Sequence, residues 1–166
     1  MALNEDRAWP NVHPENTAET KKVNDAFFGG KAEKKLLNPG MQLYKLTAKG
    51  RSLIHNGAAS PWWFSTDDFE DAVGLSGVCG FAKHMKVSLT EYARIIAAVT
   101  EEWNTMDIIM KAKLKTPVYG FFGQCAQQSK KQGSTINLPG HAYQFYIPGL
   151  TEEHIAQVSV ESAGCA

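Results

Sequence analysis

Apolar residues recur every three or four positions between Ser88 and about Trp103, and this spacing predicts an amphipathic helix. Ser88 and Glu91 form a capping box at its start, because each side chain can bond a free backbone N–H of the other. The same spacing at Asn16 and Glu19 predicts an earlier helix, which runs to about residue 28 and stops at two glycines.

Alternating or aromatic-rich segments predict strands elsewhere in the chain. The predicted strands are 41–47, 61–66, 106–114, 118–122 and 143–147. A short helix from Thr151 leads to a last strand at 157–160, and Asp67 with Asp68 starts another short helix. The stretch that holds Gly74, Gly77 and Gly80 is predicted to be irregular. These elements indicate an α/β domain of the α+β kind, with two small, mostly antiparallel sheets packed across a cleft and helices outside.

The length of 166 residues fits one compact domain. Residues 1–40 are predicted to form an N-terminal arm and helix, in which 1–16 are loosely ordered. Residues 41–166 then form the main domain.

The charge balance excludes some classes of protein. Lys plus Arg and Asp plus Glu are 17 each, so the formal charge is zero and bulk nucleic-acid binding is not expected. The polar N-terminus has no signal-peptide core, and no apolar run approaches the ~20 residues that cross a bilayer. We therefore expect no membrane partner, and action in the cytoplasm or after delivery into a target cell.

The cysteines indicate no zinc site and no disulfide framework. Cys79, Cys125 and Cys165 are widely separated and contain no CxxC pair. An odd count leaves no complete framework, which suits a reducing compartment. No metal is expected.

Lys45 is the first candidate for chemistry. It lies on a predicted strand between apolar neighbours, where an unpaired charge is costly to bury. Its ammonium group either reaches water at a sheet edge or meets an anionic ligand such as a pyrophosphate.

The second candidate is the aromatic segment from Trp62 to Thr66. Trp62 and Trp63 are adjacent, and adjacent residues on a strand point to opposite faces. One of the two can therefore enter the core, while the other covers a different surface. Either Ser65 or Thr66 caps a helix at Asp67, or the segment forms an aromatic platform beside a hydroxyl that orients a ribose.

The third candidate is Gln144, which interrupts an aromatic strand between His141 and Pro148. A glutamine in such a place either bonds a neighbouring backbone or grips a ligand. His141 alone indicates little, because a lone histidine is usually structural or solvated.

The order of these segments resembles the ADP-ribosyltransferase superfamily, which includes NAD glycohydrolase toxins. Members have an aromatic–Arg pair, an aromatic–x–Ser–Thr segment, and a Glu followed by apolar residues and Pro, each on its own strand. Tyr44-Lys45 corresponds to the first with Lys in place of Arg, and Trp63–Thr66 matches the second. Gln144–Pro148 corresponds to the third, with Gln in place of Glu.

The resemblance implies an enzyme that cleaves the nicotinamide–ribose bond of NAD, with 41–166 as its catalytic domain. Some NAD glycohydrolase toxins of this superfamily use Gln at the late position, which favours a hydrolase over a transferase. Gln144 and Ser65 are the implied catalytic residues. Lys45 or Arg51 would hold the pyrophosphate, and Trp62, Trp63 or Phe64 would stack on nicotinamide. The full set implied to bind NAD is Tyr44, Lys45, Arg51, Trp63, Phe64 and Thr66.

The same resemblance implies a toxin effector with an immunity or inhibitor protein as partner, and a macromolecular acceptor if the chain is a transferase. Two alternatives stay open. A non-catalytic binding or structural module would use the aromatic strands as core and interface. A different hydrolase could pair Ser65, Cys125 or His141 as nucleophile and base, although no G-x-S-x-G elbow frames a serine.

Overall fold

The computed structural model describes residues 1–97, 105–129, 137–138 and 142–165. The helices are α1 (Thr17–Asp25), α2 (Leu75–Met85) and α3 (Leu89–Ala97). The strands are β1 (Glu33–Leu37), β2 (Gln42–Thr47), β3 (Ile54–His55), β4 (Ala58–Ala59), β5 (Trp62–Ser65), β6 (Ile108–Leu114), β7 (Val118–Gln124), β8 (Gln128–Ser129), β9 (Asn137–Leu138), β10 (Tyr143–Tyr146) and β11 (Ile155–Ser162). Two 3-10 turns cover Phe28–Gly30 and Glu152–His154.

Seven strands form one sheet in the order β1-β7-β10-β5-β2-β6-β11, and each neighbouring pair is antiparallel. The pairs β3–β4 and β8–β9 are separate two-stranded ribbons. The predicted α+β class and antiparallel strands are confirmed. The prediction of two sheets is correct only in part, because two antiparallel groups of strands, β1-β7-β10 and β2-β6-β11, both pair with β5 and so join into one sheet.

Strand β5 joins the two halves of this sheet by changing partner along its length. Trp62 and Trp63 pair with β10, whereas Phe64 and Ser65 pair with β2. The four residues of β5 are therefore shared between two neighbours. Beyond each short pairing, β2 and β10 separate from β5, so the sheet opens there.

The two faces of the sheet bury different clusters. Leu43, Trp63 and Phe145 belong to the larger cluster on one face. Tyr44 and Leu46 lie on the other face, where they pack with apolar residues of α2 and α3. The adjacent tryptophans thus point to opposite faces, as predicted, since Trp62 packs against a third cluster around α1.

The N-terminal segment is packed, and the prediction that residues 1–16 are loosely ordered is wrong. Val12 is 0% exposed, within the cluster that includes Phe121 and Tyr146. The Asn4 side chain donates hydrogen bonds to the carbonyls of Pro148, at 2.9 Å, and Tyr119, at 3.1 Å. These contacts fix the segment to the main sheet.

The predicted helix starts are confirmed at both N-cap residues. The Asn16 side chain accepts from the Glu19 N–H, and the Ser88 hydroxyl accepts from the Glu91 N–H. The part of the predicted second helix that extends from residue 98 to Trp103 lies outside the described residues.

Two predictions between residues 67 and 85 are wrong. Asp67 and Asp68 do not start a helix; the Asp68 carboxylate instead accepts the Gly74 N–H, and α2 begins only at Leu75. The glycine-rich stretch is largely helical, because burial of Val78 and Ala82, one turn apart, stabilises α2 against the glycines. None of the described helices is long and apolar enough to cross a membrane.

A disulfide joins Cys79 on α2 to Cys165 behind β11, across 86 residues of sequence. The prediction that the cysteines form no disulfide is therefore wrong in part, and only Cys125 is free. Spacing could not reveal this pair, because the C-terminal tail reaches α2 only through the tertiary packing of Ala163 and Cys165 on the α2–α3 cluster.

We expect Cys165→Ser to lower the free energy of unfolding by about 2–4 kcal/mol, because the unfolded chain regains the entropy of a long loop. Urea unfolding of the variant and of wild type, each with and without dithiothreitol, measures this. The reductant should lower the midpoint of wild type and leave the variant unchanged. Equal midpoints in all four samples would contradict a stabilising disulfide.

Candidate functional site

A cavity of about 490 Å³ opens where the sheet separates beside β5. Its lining comes from β2, the 51–61 segment that contains the β3–β4 ribbon, β5, β6 and β10. The volume lies within the roughly 300–1,000 Å³ typical of small-molecule sites. The split of the sheet therefore produces a chamber large enough for a ligand.

Three basic side chains line this cavity: Lys45, Arg51 and His55. None of the described lining residues is an aspartate or glutamate. A concave site with cations and without nearby carboxylates attracts anions. The charge of the lining thus favours a ligand that carries phosphate or carboxylate groups.

Lys45 is held by two contacts at the floor of the cavity. Its Nζ donates to the Ser60 carbonyl at 2.7 Å and lies 3.9 Å from the centre of the Trp63 ring. The side chain is half-buried and forms no ion pair among the described residues. Burial without a counter-charge lowers the pKa of Lys45 to about 7. The amine therefore loses its proton more easily than that of an ordinary lysine.

Gln144 lines the same cavity from β10 and is 8% exposed. Its Nε2 donates to the Ala26 carbonyl at 3.2 Å, and the Ala126 N–H donates to the same carbonyl at 2.9 Å. This contact fixes the orientation of the amide. The Oε1 atom accepts no hydrogen bond from the described residues, so it is the atom able to accept one from a ligand.

Trp62 and Phe64 supply the aromatic wall of the cavity. The Trp62 ring packs on Tyr146, with 4.7 Å between centroids, and on Phe27 at 5.7 Å. The Phe64 ring lies 5.6 Å from that of Tyr44. Both wall residues are therefore supported from behind, which preserves a flat surface for a ring to stack on.

The structure brings together Lys45, Arg51, Phe64 and Gln144 from the predicted site, together with Trp62. Four predicted residues lie outside the described lining: Tyr44, Trp63, Ser65 and Thr66. Trp63 is 0% exposed and contacts the site only through Lys45. Ser65 is 6% exposed on the same strand, and no helix begins beside it to be capped.

Tyr44 and Thr66 are placed away from the cavity for different reasons. Tyr44 faces the α2–α3 cluster, where burial raises the pKa of its phenol. The Thr66 hydroxyl is buried and has no hydrogen-bond partner among the described residues. Its backbone N–H donates to the Gln42 carbonyl, which continues the pairing of β5 with β2.

Sequence reasoning missed His55 and Met110. His55 reaches the cavity because the 54–59 segment forms a ribbon whose turn holds Asn56 and Gly57, both at positive φ. That Asn-Gly pair is a hairpin signal in the sequence and could have located His55. Met110 pairs with Lys45 across β2 and β6, which only the register reveals.

The alternative of a hydrolase with a nucleophile–base pair loses Cys125 as its nucleophile. Cys125 is buried, and burial raises the pKa of its thiol, which disfavours the reactive thiolate. His141 lies outside the described residues. Among the residues that the structure describes, no group of three or more His, Cys, Asp or Glu is placed to hold a metal ion.

No protein-family model and no curated protein matches the sequence. Two solved structures are similar in part. Tne2 in complex with Tni2 is 12% identical, with 82% of this chain and 95% of that chain covered at a TM-score of 0.47. Rhs1-CT in complex with its cognate immunity protein RhsI1 is 15% identical, with 81% and 83% covered at a TM-score of 0.46.

The position of Gln144 depends on a close approach at Gly123, its partner across β7 and β10. A Cβ at Gly123 would lie 2.5 Å from the Lys31 carbonyl oxygen and 2.8 Å from the Phe27 ring. The bare glycine therefore lets the chain after α1 pack directly on β7. That packing places the Ala26 carbonyl within reach of Gln144.

We expect Gly123→Ala to lower the free energy of unfolding by about 1–3 kcal/mol, because backbone atoms must move away. Gly120→Ala, three residues away on β7, is the matched control. A Cβ there meets side-chain atoms of Ile147 and Leu37 at 3.0 and 3.4 Å, which can adjust. Denaturant unfolding should give the larger loss for Gly123→Ala, and the reverse order would contradict this account.

Proposed function

We propose that the chain is an enzyme that cleaves the nicotinamide–ribose bond of NAD, as a glycohydrolase. The observation that supports it most is that one cavity holds a cationic group of side chains and the amide of Gln144. NAD needs both features, because its pyrophosphate is anionic and its reacting ribose carries hydroxyl groups.

The cations match the pyrophosphate. Arg51 can bind phosphate oxygens through two N–H groups. Lys45 becomes fully protonated when an anion approaches, since a nearby negative charge favours the charged amine. His55 adds a third donor at the β3–β4 ribbon. The absence of carboxylates from the described lining leaves these cations available for the ligand.

The reaction needs few catalytic groups from the protein. Nicotinamide leaves as a neutral molecule from a cationic linkage, and water adds to the ribose carbon with release of one proton. A fixed dipole that faces the developing positive charge stabilises the transition state without reorganisation. Gln144 Oε1 would supply that dipole by accepting a hydrogen bond from a ribose hydroxyl, because Nε2 is already bound to Ala26.

The contact with Ala26 also explains why an amide suits this position. A glutamate would place a carboxylate oxygen against the Ala26 carbonyl, at a separation now bridged by a 3.2 Å hydrogen bond. Two acceptors facing each other in a buried site repel unless the acid binds a proton. The local structure therefore favours a neutral residue, and with it hydrolysis over a transferase mechanism that depends on a carboxylate.

We further propose that the chain acts as a toxin effector inside a target cell, with an inhibitor protein that covers the cavity as its partner. The sequence resemblance supports this role. The Cys79–Cys165 disulfide is typical of chains that pass through an oxidising compartment. It favours delivery into the target cell over permanent residence in the cytoplasm.

We expect purified wild-type protein to release nicotinamide from NAD, and Gln144→Ala to reduce the rate about 10²–10³-fold through loss of a transition-state hydrogen bond. Chromatographic assay of free nicotinamide measures the rate. Gln42→Ala on β2, outside the described lining, is the matched control and should stay near wild type. A wild type that releases no nicotinamide, with or without a macromolecular acceptor, would refute the enzyme and leave a binding module.

Gln144→Glu separates the hydrolase from the transferase. If the site is built for a neutral amide, the variant should cleave NAD no faster than wild type at neutral pH. Far-ultraviolet circular dichroism serves as the folding control. A Gln144→Glu protein that is more active than wild type would instead indicate a transferase that has lost its acid.

The lowered pKa of Lys45 predicts how ligand affinity changes with pH. The pKa is about 7 in the free protein and rises when a pyrophosphate binds, so binding takes up a proton above pH 7. Below pH 7, Lys45 should cause no change in the affinity for ADP-ribose. It should fall by up to about tenfold per pH unit above it.

Titration calorimetry at several pH values measures this dependence. Lys45→Arg keeps the charge at every pH and should remove the part of the dependence that comes from Lys45, with His55 and Arg51 unchanged. An identical pH profile in the variant and in wild type would show that Lys45 does not bind the pyrophosphate.

A further inference from the structure

The two edges of the main sheet are protected to different degrees. Strand β1, at one edge, begins with three charged residues, Glu33, Lys34 and Lys35. The Lys35 ammonium binds the Glu33 carboxylate at 2.9 Å, and the Lys34 ammonium donates to the Glu5 carbonyl at 2.6 Å. Charged side chains of this kind, lysines above all, deter a further strand from pairing with an exposed edge.

Strand β11, at the opposite edge, has little of this protection. Its residues, IAQVSVES, include no lysine and no proline. Its single charge, on Glu161, is bound at 2.9 Å by the Lys111 ammonium of the neighbouring strand β6. The pairing with β6 is irregular between Ile155 and Gln157 and regular from there to Ser162. The second part of β11 is therefore a regular edge with little charge.

The backbone of this regular part has free hydrogen-bonding groups. Antiparallel pairing with β6 uses the N–H and C=O groups of alternate residues, and the groups of the others point away from the sheet. No backbone group of the described residues outside β6 bonds to the backbone between Gln157 and Ser162. These outward groups are open to pairing with a further strand.

Two exposed valines point to one face of this strand. Val158 is 42% exposed and Val160 is 56% exposed. Side chains alternate along a strand, so the polar Gln157, Ser159 and Glu161 point to the other face. Contact of the valines with water is unfavourable, and a strand laid alongside β11 would remove part of that contact.

We propose that β11 is an interface between two copies of this chain, whose β11 strands pair antiparallel about a two-fold axis between the two Ser159 residues. In this register Val158 of each copy faces Val160 of the other, so apolar side chains meet on one face. On the other face Gln157 of each copy faces Glu161 of the other, and the amide donates to the carboxylate. The two Glu161 carboxylates stay about 13 Å apart, because four residues of strand separate them.

The residues of β11 are arranged symmetrically about Ser159, which favours a second copy over an unrelated strand. A valine stands on each side of Ser159, and an amide and a carboxylate stand one position further out. An isologous interface needs this self-complementarity, because the same surface occurs on both partners. A register centred on Val160 would place Val158 opposite Ser162 and form only one valine pair. A register centred on Val158 would bring the irregular start of β11 into the pairing.

The interface leaves the cavity beside β5 free, because β11 contributes none of its described lining. The proposal therefore does not rest on NAD cleavage. A dimer that releases no nicotinamide refutes the enzyme alone, and an active protein that stays monomeric refutes the interface alone.

Sedimentation equilibrium of purified wild type at concentrations up to about 1 mM measures the association. We expect dimers, and Val160→Lys should weaken the association by about tenfold or more, because it replaces two valine pairs and adds charge to the edge. Val87→Lys changes an exposed valine after α2 in the same way and should dimerise like wild type. Far-ultraviolet circular dichroism checks that both variants fold. A wild type that stays monomeric throughout, or a dimer that Val160→Lys leaves unchanged, would overturn the proposal.

Cysteine cross-linking tests the register. Ser159→Cys places two thiols opposite each other, where facing Cβ atoms are about 4.5–5.5 Å apart, so mild oxidation should give a disulfide-linked dimer. Gln157→Cys lies about 13 Å from its counterpart, so it should cross-link only when mixed with Glu161→Cys. Wild type gives the background, because Cys125 is buried and the other two cysteines are already joined. Equal cross-linking of Ser159→Cys and Gln157→Cys, each alone, would contradict the two-fold register.

Discussion

Strand β5 has four residues and pairs with two neighbouring strands. The split in the sheet, and the cavity beside it, follow from how these four residues are shared between the two neighbours. Its first half pairs with β10 and its second half with β2, so neither neighbour can stay beside it for its full length. The strands on the two sides separate, and a cavity opens at the split. Lys45 on one side and Gln144 on the other line this opening because each stands next to the last paired residue of its strand.

The rest of the structure supports this opening. The α2–α3 cluster packs behind Tyr44 and Phe64, and the N-terminal segment packs behind Trp62. A disulfide fixes α2 to the chain end, and Ala26 fixes the amide of Gln144. Each contact restrains a side chain of the site from outside the cavity, which keeps the site ordered without a bound ligand.

Local signals in the sequence predicted local structure well. Capping boxes located two helix starts, and alternation located β2 at 41–47, against 42–47 in the structure. Strand β1 was missed because its residues, EKKLL, place three charged and then two apolar residues in sequence, with no period of two. Helix α2 was missed because its glycines are poor helix formers, and tertiary burial of Val78 outweighs that preference.

Only the parts of the site that depend on local sequence patterns could be predicted. Lys45, Arg51, Phe64 and Gln144 were predicted and line the cavity, whereas Ser65 does not. The difference arises because side chains alternate along β5: Trp62 and Phe64 point to one face and line the cavity, whereas Trp63 and Ser65 point to the other.

The same limit applies beyond the site. The disulfide forms because the tertiary fold brings Cys79 and Cys165 together, and no local sequence pattern indicates that contact.

We propose that the opening beside β5 binds NAD. A crystal structure of the protein with a non-hydrolysable NAD analogue provides the test. We predict the pyrophosphate within hydrogen-bond distance of Arg51 and Lys45, the ribose next to nicotinamide against Gln144 Oε1, and an unchanged bond from Gln144 to Ala26. An analogue bound elsewhere on the protein, or an empty cavity at saturating analogue, would contradict the account.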